Sequence, residues 1–218
     1  MPTPSAIMRT LLTNILCVAF AVCLVACADG EDDNGGYISP YVTDFLVAST
    51  DAEGKVVSVR LDDGTTYNVA DQQVDLERKD TLLRCLATYT QDKRFKLSGI
   101  YPVFSNKPYP ATSIYVIVDG QPYQDVSLLP RDPMKVISMW KAGGYLNLHL
   151  GVMTTNMGLH QYAFCEDSVG HYSLLHSRPA SDGSAYTEHI YMSMPIPEGL
   201  DSFTFTVKTY DGDYVREF

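Results

Sequence analysis

Alternation of apolar and polar residues, the pattern of a half-buried β-strand, is the feature that most constrains what this chain can fold into. Between residues 145 and 154, leucine or valine recurs at every second position, while Asn147 and His149 fall on the opposite face. Residues 202–210 repeat the alternation with phenylalanine and valine on one side. No stretch has the 3.6-residue period of an amphipathic helix, so the sequence predicts an all-β protein with little helix.

The predicted strands fall into two sets, which indicates two domains. Residues 37–120 contain five or six strands and a hairpin signal at Asp62-Asp63-Gly64, a size typical of a small OB-like barrel. Residues 121–133 contain three prolines and are predicted to form a linker. Residues 134–218 contain six or seven short strands, which favours an antiparallel β-sandwich.

The N-terminus has the parts of a bacterial lipoprotein signal. One base, Arg9, precedes an apolar run over residues 11–26 that is short for a membrane span. The run ends in Leu24-Val25-Ala26-Cys27, which matches a lipobox, where the cysteine thiol is acylated before cleavage. Residues 1–26 are therefore predicted to be a signal peptide, and acyl chains on Cys27 to hold the protein to a membrane. A plain signal peptide or a transmembrane anchor with a chance cysteine is the alternative.

The segment after the lipobox predicts a tether and a location. Residues 27–36 are acidic and rich in glycine and contain no large apolar side chain, so they cannot bury a core. We expect a flexible tether between the acyl anchor and the folded domains. The acidic run also resembles the one behind the lipidated cysteine of surface-exported lipoproteins in the Bacteroidetes. That resemblance implies an outer-membrane lipoprotein exposed at the cell surface, with a periplasm-facing protein as the alternative.

Charge and cysteine content restrict the partners and the chemistry. The chain carries 26 acidic and 16 basic residues, a formal net charge of −10, so nucleic acids are not expected partners. Beyond the anchor, only Cys85 and Cys165 remain, too few for a disulfide framework. Both lie in apolar, strand-like segments, which predicts buried free thiols, with a bridge between them as the alternative.

Several segments together resemble the NigD-like lipoproteins of the Bacteroidetes. They are the lipobox, the hairpin at residues 61–65, and residues 144–148 and 207–212. The resemblance implies an N-terminal OB-like domain followed by a β-sandwich on a lipid anchor. The family takes its name from a bacteriocin-associated operon and has no established molecular role, so the resemblance implies fold and location rather than an activity.

Bases and aromatic residues interleave over residues 78–107, which hold seven bases and two acids in an acidic chain. On the groove of an OB-like domain, such residues suit a single-stranded nucleic acid or an oligosaccharide. The export signal favours a glycan or an acidic protein partner instead. The candidate ligand-binding residues are Arg84, Tyr89, Arg94, Lys96, Tyr101, Phe104, Lys107 and Tyr109. The alternative is that the aromatics fill the core while the bases face solvent.

No catalytic, metal-binding or cofactor site is predicted. The five histidines lie at residues 149, 160, 171, 176 and 189 and lack the spacing of zinc ligands. His171 and His176 are five positions apart, and an odd spacing places two residues on opposite faces of a strand. The sequence contains no nucleophile elbow, metalloprotease helix, phosphate loop or dinucleotide fingerprint.

These observations predict a non-enzymatic binding or accessory lipoprotein of the cell envelope, with a glycan or a protein as its partner. A protective, immunity-type lipoprotein that intercepts a bacteriocin is a second hypothesis. A hydrolase whose catalytic group assembles from distant loops is a third, and a carboxyl group with a shifted pKa beside His149 or His189 would favour it.

Overall fold

The computed structural model of the protein describes residues 39–91, 94–114, 116–118, 121–123 and 128–218. Nearly all regular structure in these residues is β-strand, which confirms the all-β prediction. The signal peptide, Cys27 and the tether lie outside the described residues. Within the described part of the chain, no helix has the length and apolarity needed to cross a membrane.

The first sheet is antiparallel, with the strand order β3-β2-β1-β4-β5. Its strands are β1 (Tyr41–Thr50), β2 (Val56–Leu61), β3 (Thr66–Asn68), β4 (Leu82–Thr90) and β5 (Lys96–Pro102). One face buries its own core, which includes Leu46, Val59, Cys85 and Tyr89. In the described residues, β3 and β5 share no backbone pairing, so the sheet is open where the sequence predicted an OB-like barrel.

One side chain spans the open side of this sheet. Gln72 lies in a short 3-10 turn after β3. Its Nε2 donates to the Phe95 carbonyl at 3.0 Å, and its Oε1 accepts from the Leu97 amide at 2.8 Å. Tyr67 stacks on Phe95 with ring centroids 4.4 Å apart, so the two edges approach one another. The amide of Gln72 thus supplies the pair of bonds that backbone closure of a barrel would have supplied.

The connection to the second half is itself structured. It contains β6 (Tyr109–Pro110), a 3-10 turn at Ala111–Ser113, and the hairpin β7 (Val116–Val118) and β8 (Gln121–Tyr123). Leu129, within the predicted linker, is buried in a small core with Cys165 and Leu175. Residues Pro40–Phe218 form one compact unit, and the domain boundaries inside it stay a prediction.

Two facing sheets form the sandwich of the second half, with the strand orders β13-β10-β9 and β15-β14-β12-β11-β6. The strands are β9 (Lys135–Ala142), β10 (Tyr145–Thr154), β11 (Gln161–Ser168), β12 (His171–Ser177), β13 (Tyr186–Pro195), β14 (Thr204–Thr209) and β15 (Gly212–Glu217). Most pairs are antiparallel as predicted, but β12 pairs with β14, and β11 with β6, in parallel.

The core of the sandwich confirms the alternation read from β10 and β14. Apolar residues of both strands are buried and pack with Phe164 of β11. Burying each such side chain contributes roughly 1.5–3 kcal/mol relative to leaving it exposed. Cys85 and Cys165 are buried free thiols as predicted, and burial raises the pKa of each to about 12.

A buried arginine joins the first sheet to the sandwich. The side chain of Arg84, on β4, is 1% exposed and pairs with both carboxylate oxygens of Asp62. Across the junction it donates to Asn147 Oδ1 at 3.0 Å and to Ser193 Oγ at 3.2 Å. The ring of Tyr145 lies 4.2 Å from the guanidinium carbon. The charge is therefore removed from water but fully hydrogen-bonded, as a buried charge must be.

Candidate functional site

A groove of about 630 Å³ lies between the outer face of β10 and the β14–β15 hairpin. Gly151 forms part of its floor. The Thr187 side chain packs over this glycine, because a Cβ at position 151 would lie 2.8 Å from Thr187 Cγ2. Met153 and Thr187, paired across β10 and β13, continue the floor.

The hairpin that forms the opposite wall is fixed by local hydrogen bonds. The hydroxyl of Thr209 donates to the carbonyl of Gly212 at 2.7 Å, and Gly212 has a φ of 119°, which favours glycine. The Met134 amide donates to the Lys208 carbonyl at 2.9 Å and ties the start of β9 to the end of β14. Tyr210, in the turn, and Tyr214, on β15, line the groove from this hairpin.

The lining of the groove suits a ligand that has an apolar group next to a few polar groups. Methionines 134 and 153, Val136 and the two tyrosines provide apolar surface, and Tyr210 and Tyr214 are 52% and 39% exposed. Lys135 and Asp211 add one charge of each sign. Methionine adapts to irregular partners, and tyrosine offers apolar area with one polar tip.

A second concavity, of about 380 Å³, lies beside the junction and is lined by Trp140, Phe45 and Tyr89. Its carboxylates are already engaged. Asp62 pairs with Arg84, and Asp44 accepts a hydrogen bond of 2.9 Å from the Tyr89 hydroxyl. Burial, reinforced by this bond and charge, raises the pKa of Tyr89.

Four of the five histidines form two pairs that the sequence did not predict. His149 Nε2 and His189 Nδ1 are 2.8 Å apart, and Tyr191 stacks on His149 at a centroid distance of 4.4 Å. Partial burial and the neighbouring His189 lower the pKa of His149. This pair lies on the outer face of the β13-β10-β9 sheet, next to the groove. His189 is the cross-strand partner of Gly151, and His149 precedes Gly151 by two residues on β10.

The second pair, His160 and His176, is hydrogen-bonded to a further group at each end. His176 is 1% exposed, and its Nδ1 lies 3.0 Å from the Asp132 carbonyl oxygen. Its Nε2 lies 2.8 Å from His160 Nδ1, and His160 Nε2 lies 2.7 Å from Asp182 Oδ2. Tyr162 stacks on the His176 ring at 5.0 Å. The four groups form one continuous hydrogen-bonded chain, which we call the histidine chain.

Asp182 anchors two loops at the end of the histidine chain. Its Oδ1 accepts from the amide and the hydroxyl of Thr155, each at 2.8 Å, and from the Met157 amide at 3.2 Å. Burial opposes ionisation of Asp182, but the hydrogen bonds from Thr155 and His160 outweigh it and hold its pKa below the usual value. The acid with a shifted pKa thus lies beside His160, not beside His149 or His189.

The structure separates the residues predicted to bind a ligand. Arg84, Tyr89 and Phe104 are packed inside, where Arg84 and Tyr89 give their polar atoms to carboxylates and Phe104 contacts the sandwich core. The other five are exposed, including Tyr101 at 71% and Tyr109 at 50%. They are Arg94, Lys96, Tyr101, Lys107 and Tyr109. Ligand binding by the exposed five stays a prediction.

The spacing of the histidines could not have revealed either pair, because each pair joins different strands or loops. His171 is exposed and His176 is buried, on opposite faces of β12 as predicted. In the described ranges, no group of three or more histidine, cysteine, aspartate or glutamate side chains is placed to hold a metal ion.

No protein-family model and no curated protein matches the sequence. Solved structures do match. A NigD-like immunity protein from Bacteroides caccae ATCC 43185 aligns with a TM-score of 0.61 at 20% identity, over 81% of this chain and 91% of that one. The chain has the NigD-like fold. The fold component of the resemblance inferred from the sequence is therefore confirmed.

Two further solved structures are similar to this chain. A putative toxin-related protein from Parabacteroides distasonis ATCC 8503 has a TM-score of 0.62 at 14% identity, over 82% of this chain and 92% of that one. A protein of unknown function, DUF1344, from Bacteroides vulgatus ATCC 8482 has a TM-score of 0.55 at 14% identity, over 81% and 90% of the two chains. None of these three proteins is named as an enzyme.

Proposed function

We propose that the protein is a lipid-anchored, non-catalytic binding module of the cell envelope and that its ligand occupies the groove between β10 and the β14–β15 hairpin. The observation that carries the proposal is the groove itself, a concavity of about 630 Å³ lined by the exposed rings of Tyr210 and Tyr214 and by Met134 and Met153. Concave, mainly apolar sites with a few polar groups are where proteins bind ligands.

The lining favours a polypeptide over a glycan among the two predicted partners. A sugar presents many hydroxyls, which need several hydrogen-bonding side chains to replace water. Here the Thr209 hydroxyl donates to the Gly212 carbonyl within the hairpin, and the Thr187 hydroxyl donates to the Met153 sulfur. Both hydroxyl hydrogens are therefore already used. Apolar side chains of a peptide match the methionines and tyrosines, and Lys135 and Asp211 can pair with charges beside them.

The groove can be tested without knowing the natural partner. Peptides are selected from a random display library on the wild-type protein and then measured against Thr187→Trp, which fills the groove from an exposed position. We expect peptides whose affinity falls at least about tenfold with this variant. Val169→Trp, which adds the same ring to an exposed turn, is the matched control. Selected peptides that bind both variants equally would refute the proposed site.

The anchor and the location rest on the lipobox and the acidic run at residues 24–36. Cells expressing the full-length protein are labelled with a clickable palmitate analogue, and Cys27→Ala serves as the control. Label on the wild type alone supports acylation at Cys27. Protease treatment of the intact cells then separates the two orientations, because digestion before lysis requires surface exposure and protection until lysis indicates a periplasm-facing protein.

An immunity-type role is a second candidate, favoured by one specific observation. The structure from Bacteroides caccae that has this fold is named an immunity protein. If this chain intercepts a bacteriocin, its deletion lowers the dose of bacteriocin-producer supernatant that kills the cells, and the wild-type gene restores resistance while Cys27→Ala does not. Unchanged sensitivity after deletion would exclude the role against the toxins tested.

A further inference from the structure

The two ends of the histidine chain accept hydrogen bonds only. At one end lies the Asp132 carbonyl oxygen, and at the other the carboxylate of Asp182. His176 Nδ1 and His160 Nε2 must therefore both carry a hydrogen. The contact of 2.8 Å between the rings needs a third hydrogen on one of the two facing nitrogens. Three bonds thus require three ring protons, whereas two neutral imidazoles carry only two.

We propose that His160 and His176 together hold three protons at neutral pH and form a pH-dependent latch on one wall of the groove. The proton count follows from the hydrogen-bond geometry alone. Its consequence for ligand binding rests on the proposed function of the groove.

The buried position of His176 decides which ring carries the extra charge. Burial lowers the pKa of His176, so this ring stays neutral with its hydrogen on Nδ1. His160 then carries both of its hydrogens and faces the ionised carboxylate of Asp182 at 2.7 Å. The result is an ion pair at the outer end of the chain and a neutral, stacked ring at the inner end.

Other charged groups around the chain are already partnered or lie farther away. Arg178 Nε is 3.7 Å from Asp182, and the Arg178 amide donates to the Asp132 carboxylate at 2.7 Å. Arg131, which bridges to His176 through its backbone, pairs with Asp167. Among the described residues, Tyr162 is a further ionisable neighbour and stacks on His176. Burial, and then Glu188, raises the pKa of Tyr162 to about 12.

The chain connects to the groove through Asp182. This residue fixes Thr155 on one loop, and the Thr155 hydroxyl in turn accepts from the Gly183 amide at 2.9 Å. Arg178 donates to the Asp182 carbonyl at 2.9 Å and to the Ser184 hydroxyl at 3.0 Å. Ser184 lines the groove. Losing the His160–Asp182 pair therefore loosens the segment that carries Ser184.

The latch responds to acid. A fourth proton charges both rings and places two N–H groups against each other across the 2.8 Å contact. The His160 ring must then turn away from His176, and this movement breaks its hydrogen bond to Asp182. Because the folded-state pKa of His176 lies below its ordinary value of 6.5, the unfolded chain binds this proton more readily. The stabilisation by the neutral His176 ring is complete above about pH 6.5. It is lost as the pH falls through the lower pKa that His176 has in the folded protein.

Nitrogen NMR of the full chain labelled with ¹⁵N-histidine tests the proton count directly. At pH 7, two-bond proton–nitrogen correlations are expected to show hydrogens on both nitrogens of His160 and on Nδ1 of His176. Assignment uses His160→Gln and His176→Gln. Two ring protons in total at pH 7, with both rings neutral, would overturn the proposal.

Amide hydrogen exchange tests the latch. After correction for the intrinsic pH effect, the amides of Thr155, Met157 and Gly183 are expected to exchange about tenfold faster at pH 5 than at pH 7, as loss of one buried hydrogen bond predicts. His160→Gln is expected to remove this difference, and His171→Gln, an exposed histidine on β12, to keep it. Equal protection at both pH values in the wild type would refute the latch.

Neither measurement uses a ligand, so the latch and the proposed function fail separately. If the latch opens at pH 5 but the selected peptides bind equally well to Thr187→Trp, the groove proposal fails and the latch stands. If the peptides need the groove but amide exchange shows no pH dependence, the latch fails and the groove proposal stands.

Discussion

The protein buries two polar centres of different kinds. At the junction, the Arg84 guanidinium is held by Asp62 in a two-point contact and by Asn147 and Ser193 across the interface. In the sandwich, His160 and His176 link a carbonyl to Asp182. A guanidinium keeps its charge throughout the pH range in which proteins fold, whereas imidazoles change charge near neutrality.

The permanent charge lies at the junction between the two halves, and the titratable rings lie beside the groove. The arginine centre joins the first sheet to the sandwich, where opening would separate two cores, and its strength does not depend on a proton. The histidine chain supports loops beside a groove, where a change of a few hydrogen bonds alters a wall without exposing the core. Substitutions at the two centres should therefore differ in both the size and the pH dependence of their effect on stability.

Arg84→Ala is expected to destabilise the protein most, by about 3–5 kcal/mol, because it leaves the Asp62 carboxylate without its partner at a buried junction. Urea unfolding at pH 5 and at pH 7 measures the effect, which we expect to be similar at both values. Arg84→Lys serves as a control that keeps the charge but not the two-point geometry. A loss below about 1 kcal/mol would show that the junction does not depend on this centre.

His176→Gln is expected to lose about 1–3 kcal/mol at pH 7, because a flexible amide replaces the buried ring that stacks on Tyr162 and holds both the Asp132 carbonyl and His160. The difference from the wild type should shrink at pH 5, since protonation of His176 then favours the unfolded wild-type chain. His171→Gln is the matched control on the same strand. A difference that is constant with pH would contradict the contrast with Arg84.

Ser193→Ala is expected to cost about 1 kcal/mol, because it removes the 2.6 Å hydrogen bond to Asn147 and one acceptor of Arg84 while the Asp62 contact remains. The same urea titration measures it at both pH values. An effect as large as that of Arg84→Ala would mean that the junction depends on the hydroxyl rather than on the charge pair.

Lys208→Ala is expected to change stability by less than about 0.5 kcal/mol, because its ion pair with Asp213 is exposed and 3.3 Å long. The variant sets the baseline for a charge removed at the surface. A larger loss, detected in the same titration, would show that the β14–β15 hairpin depends on this pair and would weaken the comparison.

Much of the fold was predictable because it depends on local pattern. Strand β10 begins and ends at the predicted residues, 145 and 154, since alternation and the flanking turns define it. The open first sheet was not predictable, because closure depends on the contact between Gln72 and the start of β5, 23–25 residues away in the chain.

The site was less predictable than the fold. Sequence spacing grouped Arg84 with exposed bases, but its neighbours in space are Asn147 and Ser193, 63 and 109 residues away. The histidine chain likewise joins residues 132, 160, 176 and 182 from four segments. No local pattern reports such contacts, because they form only when separate strands pack.

The all-β class could be inferred from the residues alone, and so could the strand periodicity and the buried free thiols, because side-chain alternation and turn chemistry act within a few residues. The buried charges and the hydrogen-bonded rings became evident only once the strands were packed together. Burial and pairing of a polar group depend on partners brought together by packing, so the same arginine or histidine serves as surface charge, structural bond or latch according to what surrounds it.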